Sequence, residues 1–175
     1  MRRTPIPAKA PPKPSAAAQG HDHGACVDTL LSRARVAFEQ SGLKLTALRL
    51  GVLEEIASSH DAIGAYDVLR RLSARKGEAM APISVYRAIT ALQQAGLVHR
   101  LESRNAYFAC HAPHRGRQRH IALVCNACDG VIEVPAAALY DAVEAAGRAN
   151  GFQLQSAVAE GLGTCASCQT REERA

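Results

Sequence analysis

The sequence predicts an α+β protein made of two small units, and three features of the 175-residue chain support this prediction. Apolar residues recur with helical spacing up to Gly96, and the period then falls to two, as in strands. A further strand, helix and strand pattern follows. Two Cys-x-x-Cys pairs enclose this second part, Cys125 with Cys128 and Cys165 with Cys168. A chain of this length can bury one or two modest cores but not a large enzyme core.

The composition favours a soluble protein with an anionic partner. The formal net charge is +5, which is compatible with nucleic acid binding. No apolar run reaches the roughly 18 residues needed to span a bilayer. Arg2 and Arg3 are followed by prolines and not by the apolar segment of an export signal. We therefore expect a cytoplasmic protein with no membrane partner, where paired cysteines hold metal more often than they form disulfides.

Residues 1–26 are predicted to form a disordered tail, because they are rich in Pro, Ala and Lys and cannot bury enough apolar surface. The tail ends in His21, His23 and Cys26. These residues are either a loose metal-binding patch or a polar linker with accidental ligands.

Four helices are predicted in the first unit. The first runs from Asp28 to a stop at Ser41-Gly42, and the second follows Thr46, a favoured N-cap. The third begins at Ala65, and the fourth extends from Pro82 to Gly96, residues favoured at helix starts and ends. Their inward faces are predicted to hold Leu30, Ala34, Ala37 and Phe38; Leu48, Val52, Leu53 and Ile56; Ala65, Val68, Leu69 and Leu72; and Val85, Ala88, Ile89 and Leu92.

Two strands complete this unit, Leu97 to Glu102 and Ala106 to Cys110, joined by a tight turn. Helices followed by a hairpin indicate a winged helix-turn-helix over residues 27–110. The fourth helix would then enter the major groove of DNA. Its outward face is predicted to hold Ser84, Arg87, Thr90, Ala91 and Gln94, with Tyr86 at the flank. Ser84, Tyr86 and Arg87 would meet bases or phosphates, although the pattern alone is equally compatible with a solvated helix face.

The second unit is predicted over residues 120–170, after a hinge at 111–119 and before a tail at 171–175. Its elements are strands at His120–Val124 and Val131–Val134, a helix at Ala136–Asn150 with Leu139, Val143 and Ala146 inward, and a strand from about Phe152 to Glu160. Such a small α/β unit needs extra stabilisation. A metal would cross-link it, and pairing with a second copy would bury its remaining apolar face.

The two cysteine pairs fit one structural zinc ion held by Cys125, Cys128, Cys165 and Cys168, because four thiolates make a closed tetrahedral site. The alternative is a thiol redox protein. A thioredoxin-like protein needs a helix directly after its Cys-x-x-Cys motif, with the first thiol at the helix N-terminus, whereas a strand pattern follows Cys128. A zinc deaminase would need His-x-Glu and Pro-Cys-x-x-Cys, which the chain lacks. We therefore expect a protein that is not an enzyme.

Taken together, these motifs resemble the ferric uptake regulator family of bacterial metal-responsive repressors over roughly residues 28–170. The matching stretches are Leu43-Lys44-Leu45-Thr46 with Arg49, Ala65-Tyr66-Asp67, Ser84-Val85-Tyr86-Arg87-Ala88, Gly96-Leu97-Val98-His99, and Cys125-x-x-Cys128 followed by Val131-Ile132-Glu133. The resemblance implies an N-terminal winged helix, a C-terminal dimerisation domain and metal-coupled binding of a homodimer to a two-fold DNA operator. It also implies that Tyr66 supports the DNA from the side.

Within the family, the chain is most similar to the zinc uptake regulators, because Cys110 follows the wing in the setting Tyr107-x-x-Cys110-His111. A thiolate suits zinc, whereas iron and manganese sensors favour His, Asp and Glu. The similarity implies that His99, Cys110 and Glu133 are regulatory zinc ligands, together with a histidine before Cys125. His120 is our choice for that ligand, and His114 is the alternative.

The resemblance therefore predicts two zinc ions per chain, one structural and one regulatory. Regulatory zinc would join the wing to the dimerisation domain and set the spacing of two recognition helices on one duplex. DNA would tighten zinc binding in return, and excess zinc would silence genes for zinc uptake. An iron- or peroxide-sensing member of the same family is the alternative. Iron sensors place a histidine before the third helix, where this chain has Ala62.

Overall fold

The structure, a computed structural model, describes residues 23–58, 61–110 and 119–172. The predicted tail up to residue 22 lies outside the described residues, as do most of the predicted hinge and the side chains of His21, His23, His60, His111 and His114. None of the helices in the described ranges has the length and apolar character needed to cross a bilayer.

The first unit contains four helices and a two-stranded wing. The helices are α1 (His23–Gln40), α2 (Ala47–Ala57), α3 (Ala65–Lys76) and α4 (Pro82–Gln94), and the strands are β1 (Val98–Leu101) and β2 (Ala106–Ala109). A short 3-10 turn at Glu102–Arg104 joins the strands. All predicted elements of this unit are present. The main difference in extent concerns α1, which begins at His23 and not at Asp28, so the prediction of a disordered tail is wrong for residues 23–26.

Local chemistry explains the boundaries of these helices. The Thr46 hydroxyl accepts a hydrogen bond from the Arg49 backbone N–H at 3.3 Å, as expected of an N-cap. Pro82 occupies the first turn of α4, where a missing N–H has no consequence. The chain leaves α3 and α4 through Gly77 and Gly96, whose φ angles of 70° and 67° favour glycine.

The core of the first unit lies between these helices and the wing. Of the residues predicted to face inward, Ala37, Leu48 and Leu69 are partly buried against the core and all the others are buried. One prediction is wrong, because Ala91 is only 5% exposed and not outward. α4 packs against both α2 and α3, so its buried stripe is wide enough to include the small Ala91 side chain beside Ala88.

The wing is an antiparallel hairpin whose register pairs His99 with Phe108. Asn105 closes its turn with a φ of 47°, a left-handed conformation that Asn tolerates. The segment before α3 also joins the wing, since the N–H and C=O groups of Ile63 and Tyr107 exchange two hydrogen bonds of 2.8 Å. The position of α3 and the position of the wing are therefore coupled.

The second unit is a three-stranded sheet with two helices. Its strands lie in the order β4-β3-β5, with β3 (His120–Cys125) antiparallel to β4 (Val131–Pro135) and parallel to β5 (Glu160–Gly163). The parallel pairing needs a long crossover, which α5 (Ala137–Ala149) supplies. A short helix, α6 (Ala166–Glu172), follows β5.

Two predictions about the second unit are wrong, and one element was missed. β5 begins at Glu160 and not near Phe152, because β3 pairs only with residues 160–163. The preceding segment is irregular, and Phe152 and Val158 are 65% and 68% exposed. α6 was not expected. The predicted inward face of α5, Leu139, Val143 and Ala146, is exposed in the single chain, since the sheet does not cover it.

The two units contact each other along the wing. Leu101 and Phe108 of the wing form a buried apolar cluster with Val124 and Val131 of the sheet. At the wing turn, the Glu160 carboxylate accepts hydrogen bonds from the backbone N–H groups of residues 102 and 103, at 2.6 and 3.1 Å. These contacts place the end of β2 beside β4.

Candidate metal centres and nucleic-acid interface

The first candidate metal centre is a cluster of four thiols in the second unit. Cys125 ends β3, Cys128 lies in the loop before β4, and Cys165 and Cys168 lie at the start of α6. Their sulfur atoms all lie within 4.8 Å of one another, and three of the four residues are buried. Asp129 gives the loop its turn with a φ of 61°. The structure thus brings together all four cysteines predicted to bind the structural ion.

The electrostatics of this cluster favour a cation. Burial opposes ionisation of the Cys125 thiol, but backbone N–H donors, first that of Cys165, outweigh it and lower its pKa to about 6. The hydrogen bond with Cys165, and then burial, raise the pKa of Cys168 to about 12, and burial raises that of Cys128. Several thiolates cannot form together here without a compensating positive charge. A closed set of sulfur donors fits tetrahedral zinc.

The second candidate centre lies between the two units. His99 of β1, Cys110 directly after β2 and Glu133 of β4 have ligand atoms within 4.8 Å of one another. The His99 Nε2 and Glu133 Oε1 atoms are 3.3 Å apart. The Cys110 side chain is fully buried, and its backbone N–H donates to the carbonyl oxygen of Leu97 at 2.9 Å. Nitrogen, sulfur and oxygen donors from both units therefore converge at one point, and this donor set fits zinc.

Burial raises the pKa of the Cys110 thiol to about 12, and the Glu133 carboxylate adds to this effect. The Arg33 guanidinium acts in the opposite direction but does not cancel it. In the absence of a cation the thiol keeps its proton. A divalent ion entering between Cys110 and Glu133 would displace that proton, so binding at this centre would release it.

His120, the fourth residue predicted for this centre, stands slightly apart. It lines the same cavity of about 470 Å³ as His99 and Glu133, but among the described residues it is not part of the compact group of three. The Tyr140 hydroxyl donates to its carbonyl oxygen at 2.9 Å. The alternative ligand, His114, lies outside the described residues.

One contact of this centre was not predicted from the sequence. Arg33 of α1 donates from Nη1 to the carbonyl oxygen of Cys110 at 2.9 Å, and its Nη2 lies 3.8 Å from the Cys110 sulfur. No spacing rule links residues so far apart in the chain. The only signal was a charged residue between the buried Leu30 and Ala34 on the first helix.

The predicted nucleic-acid interface forms one exposed surface on the first unit. Tyr86 and Arg87 are exposed on α4, and Ser84 is half-buried beside them. Tyr66, at the start of α3, is 69% exposed and makes an edge-to-face contact with Tyr86 at a centroid distance of 6.3 Å. Ile83, which was not predicted, is exposed on the same helix. Two neighbouring helices thus present aromatic, hydroxyl and cationic groups together.

The fold and the sites define a winged-helix protein with an α/β second unit and two candidate metal centres. The model of the ferric uptake regulator family matches residues 40–160. The zinc uptake regulation protein of Escherichia coli K12 is 34% identical over 139 residues, which cover 79% of this chain and 81% of that protein. The chain therefore belongs to the ferric uptake regulator family.

Solved structures agree with this membership. A zinc uptake regulator complexed with zinc and DNA matches with a TM-score of 0.78 and 33% identity, over 84% of this chain and 97% of that one. The holo form of XcZur matches with a TM-score of 0.73 and 35% identity, over 82% of this chain and 99% of that one.

Proposed function

We propose that this protein is a zinc-responsive transcriptional repressor that binds operator DNA as a homodimer and controls zinc uptake genes. The observation that carries the proposal is the convergence of His99, Cys110 and Glu133 from the two units. Two similar proteins support it, one named a zinc uptake regulation protein and one solved with zinc and DNA. The role is that of a DNA-binding regulator and not of an enzyme, and it belongs in the bacterial cytoplasm.

The sulfur of Cys110 is the reason to prefer zinc over iron. Thiolates select zinc among the available divalent metals, whereas oxygen and imidazole sets suit iron and manganese. The proposal therefore assigns the regulatory ion to His99, Cys110 and Glu133, with His120 as the fourth ligand because it lines the same cavity. An iron-sensing role would not need the Cys110 thiol. A peroxide-reactive thiol is accessible and has a lowered pKa, whereas Cys110 is buried and its pKa is raised.

A second zinc ion, which makes two per chain, is assigned to Cys125, Cys128, Cys165 and Cys168. It would cross-link the β3–β4 loop to the start of α6 and so close the second unit. The second unit is also the proposed dimer interface, because it has an exposed apolar surface. Leu123, Ile132, Leu139, Val143 and Leu162 are each about two-fifths exposed or more, and a second copy of the chain would cover them.

Regulation follows from where the ligands lie. The proposal places the DNA-binding domain at residues 27–110, the hinge at 111–119 and the dimerisation domain at 120–170. His99 and Cys110 belong to the first and Glu133 to the last, so a bound ion favours one orientation of the two domains. In a dimer this orientation sets the distance between the two recognition helices, so that it matches the distance between the two half-sites of the DNA operator. By linkage, DNA must tighten zinc binding by the same factor.

The proposed DNA contacts are Tyr66, Ser84, Tyr86 and Arg87. Arg87 is exposed on α4, the helix that would enter the major groove, and a bidentate contact from Arg to guanine contributes about 1–3 kcal/mol. Ser84 and Tyr86 lie beside it, and Tyr66 reaches the same surface from α3. The net charge of +5 favours association with the phosphate backbone.

Fluorescence anisotropy with an operator duplex, titrated at several buffered zinc concentrations and one salt concentration, tests this function. We expect tight binding only when zinc is present. Arg87→Ala should weaken operator binding by roughly 5- to 150-fold, from the energy of one Arg–guanine contact. Arg148→Ala, which removes the same charge from an exposed position on α5, is the control and should have little effect.

Zinc-independent binding would contradict the regulatory role. Arg87→Ala is also measured on a duplex of scrambled sequence. If the variant loses the same affinity for both duplexes, Arg87 contacts a phosphate; if it loses affinity for neither, α4 does not read the DNA.

A further inference from the structure

We propose that Arg33 is a positioning residue of the regulatory centre, which holds Cys110 in the orientation that metal binding requires and connects the first helix to that centre. This inference rests on the proposed function, because it assumes that Cys110 is a metal ligand. It adds a residue that lies on α1, outside every motif recognised in the sequence.

The contact has two parts. One guanidinium nitrogen of Arg33 donates to the Cys110 carbonyl oxygen at 2.9 Å, and the other lies 3.8 Å from its sulfur, within the range of an N–H···S hydrogen bond. The backbone N–H of Cys110 is also occupied, since it donates to the Leu97 carbonyl oxygen. Both backbone groups and the side chain of Cys110 are therefore held from two directions.

Arg33 itself is held firmly. Its helix neighbours Leu30 and Ala34 are 1% and 0% exposed, so this turn of α1 is fixed in the core of the first unit. The Arg33 side chain is half-buried and extends from this turn to the end of β2. A fixed base and two hydrogen bonds leave the guanidinium little freedom.

The chemistry of arginine fits this role and that of lysine does not. A guanidinium presents its N–H donors in a rigid plane, so it can hold a carbonyl oxygen and a sulfur atom at the same time. A lysine ammonium is a point charge on a flexible stem. Groups that hydrogen-bond to metal ligands orient them, and their loss typically lowers metal affinity by about 10- to 100-fold.

The position of Cys110 in the chain leaves room for such support. β2 ends at Ala109, and beyond it the Cys110 N–H still donates to the Leu97 carbonyl oxygen, while the Cys110 carbonyl oxygen accepts from Arg33. Its neighbours in the centre are His99, on the other strand of the wing, and Glu133, across the boundary between the two units. Arg33 belongs to the same unit as Cys110 and supports it whatever the orientation of the second unit.

The test measures metal binding and not DNA binding. The variants are Arg33→Gln, Arg33→Lys and the control Arg35→Gln, which makes the same charge change at an exposed position of α1. Zinc affinity of the weaker site is measured by competition with a chromophoric chelator. Cobalt(II) then replaces that zinc, and the sulfur-to-cobalt charge-transfer band reports whether Cys110 coordinates it.

We expect both Arg33 variants to lose about 10- to 100-fold in affinity at this site and to show a weaker or displaced charge-transfer band. Arg35→Gln should behave as the unmodified protein. In a Cys110→Ser background, Arg33→Gln should add little further loss, because the two residues act together. Thermal unfolding with this site empty should be similar for Arg33→Lys and the unmodified protein.

The proposal would be overturned if Arg33→Gln had the same zinc affinity and the same charge-transfer band as the unmodified protein. Full retention by Arg33→Lys would also overturn it, because charge and not the planar geometry would then be sufficient. If both variants lowered the thermal stability as much as the metal affinity, a merely structural role would replace the positioning role. A failed function has a different signature, since Cys110→Ser would then leave the zinc content of the protein unchanged.

Discussion

The two candidate metal centres differ in which parts of the fold they join. The cluster of Cys125, Cys128, Cys165 and Cys168 takes every ligand from the second unit, whereas His99, Cys110 and Glu133 come from both units. An ion in the first cluster would therefore stabilise a domain, and an ion in the second would select the arrangement of two domains. The positions of the ligands in the topology account for this difference.

The two centres also differ in the pKa values of their thiols. Backbone N–H groups lower the pKa of Cys125 to about 6, so one thiolate of the first cluster is available near neutral pH. At the second centre, burial and Glu133 raise the pKa of Cys110 to about 12. Metal binding must displace protons at both centres, because the pKa of Cys168 in the first cluster is also raised to about 12. The first centre has four sulfur donors within one unit, so we expect it to keep its ion, while the second centre, with mixed donors from two units, exchanges its ion.

The largest effect is expected from Cys125→Ser. Structural zinc contributes on the order of 10 kcal/mol to the folding of zinc-finger peptides, and the second unit buries little apolar surface of its own. The variant should be unfolded or monomeric, as measured by circular dichroism and sedimentation. Cys26→Ser changes a cysteine outside both clusters and is the control. A folded, dimeric Cys125→Ser protein with its full zinc content would show that this cluster is not structural.

His99→Ala and Cys110→Ser should have an intermediate effect, because these residues join the domains and do not build the second unit. We expect an intact fold and dimer, a loss of roughly one zinc per chain, and a loss of zinc-dependent DNA binding. Metal analysis measures the zinc content, and the anisotropy titration measures the DNA binding. His120→Ala in parallel would test the fourth ligand. Normal repression by these variants in zinc-replete cells would place the regulatory site elsewhere, with His111 and His114 the next residues to examine.

The smallest effect is expected from Glu160→Gln, which weakens a contact between the units without removing a proposed ligand of either centre. Partial burial works to raise the pKa of the Glu160 carboxyl, but hydrogen bonds from Ser103 and Glu102 outweigh it and hold the pKa below its ordinary value of 4.5. The carboxylate is therefore charged at neutral pH. Neutralising it should weaken the two hydrogen bonds and shift the zinc concentration for DNA binding by about fivefold or less, as expected for about 1 kcal/mol.

Hydrogen exchange provides the more direct measurement of that contact. The backbone amides of residues 102 and 103 should exchange faster in Glu160→Gln. Glu102→Gln changes a charge in the same turn but keeps both amide donors, so it should leave their exchange unchanged. Unchanged exchange in Glu160→Gln would mean that other contacts hold the wing turn, such as the apolar cluster and the ion pair of Arg104 with Asp129.

Local patterns determined most of the first unit and the identity of the four clustered cysteines. The spacing of apolar residues within α2, α3 and α4 predicts their buried faces. Thr46, Pro82 and Gly96 mark helix boundaries through local backbone chemistry. The paired spacing of the cysteines likewise predicted one cluster of four, which the structure shows. These features need only neighbouring residues, so the sequence is sufficient for them.

Tertiary structure alone decided the remaining features, because they depend on which elements pack against each other. Ala91 is buried since α4 touches two helices, and β5 starts late because β3 offers partners only to residues 160–163. The exposed apolar face of α5 follows from a sheet that does not reach it. The contact of Arg33 with Cys110 joins residues 77 positions apart. No local pattern encodes such contacts, because they exist only once both elements are folded and docked.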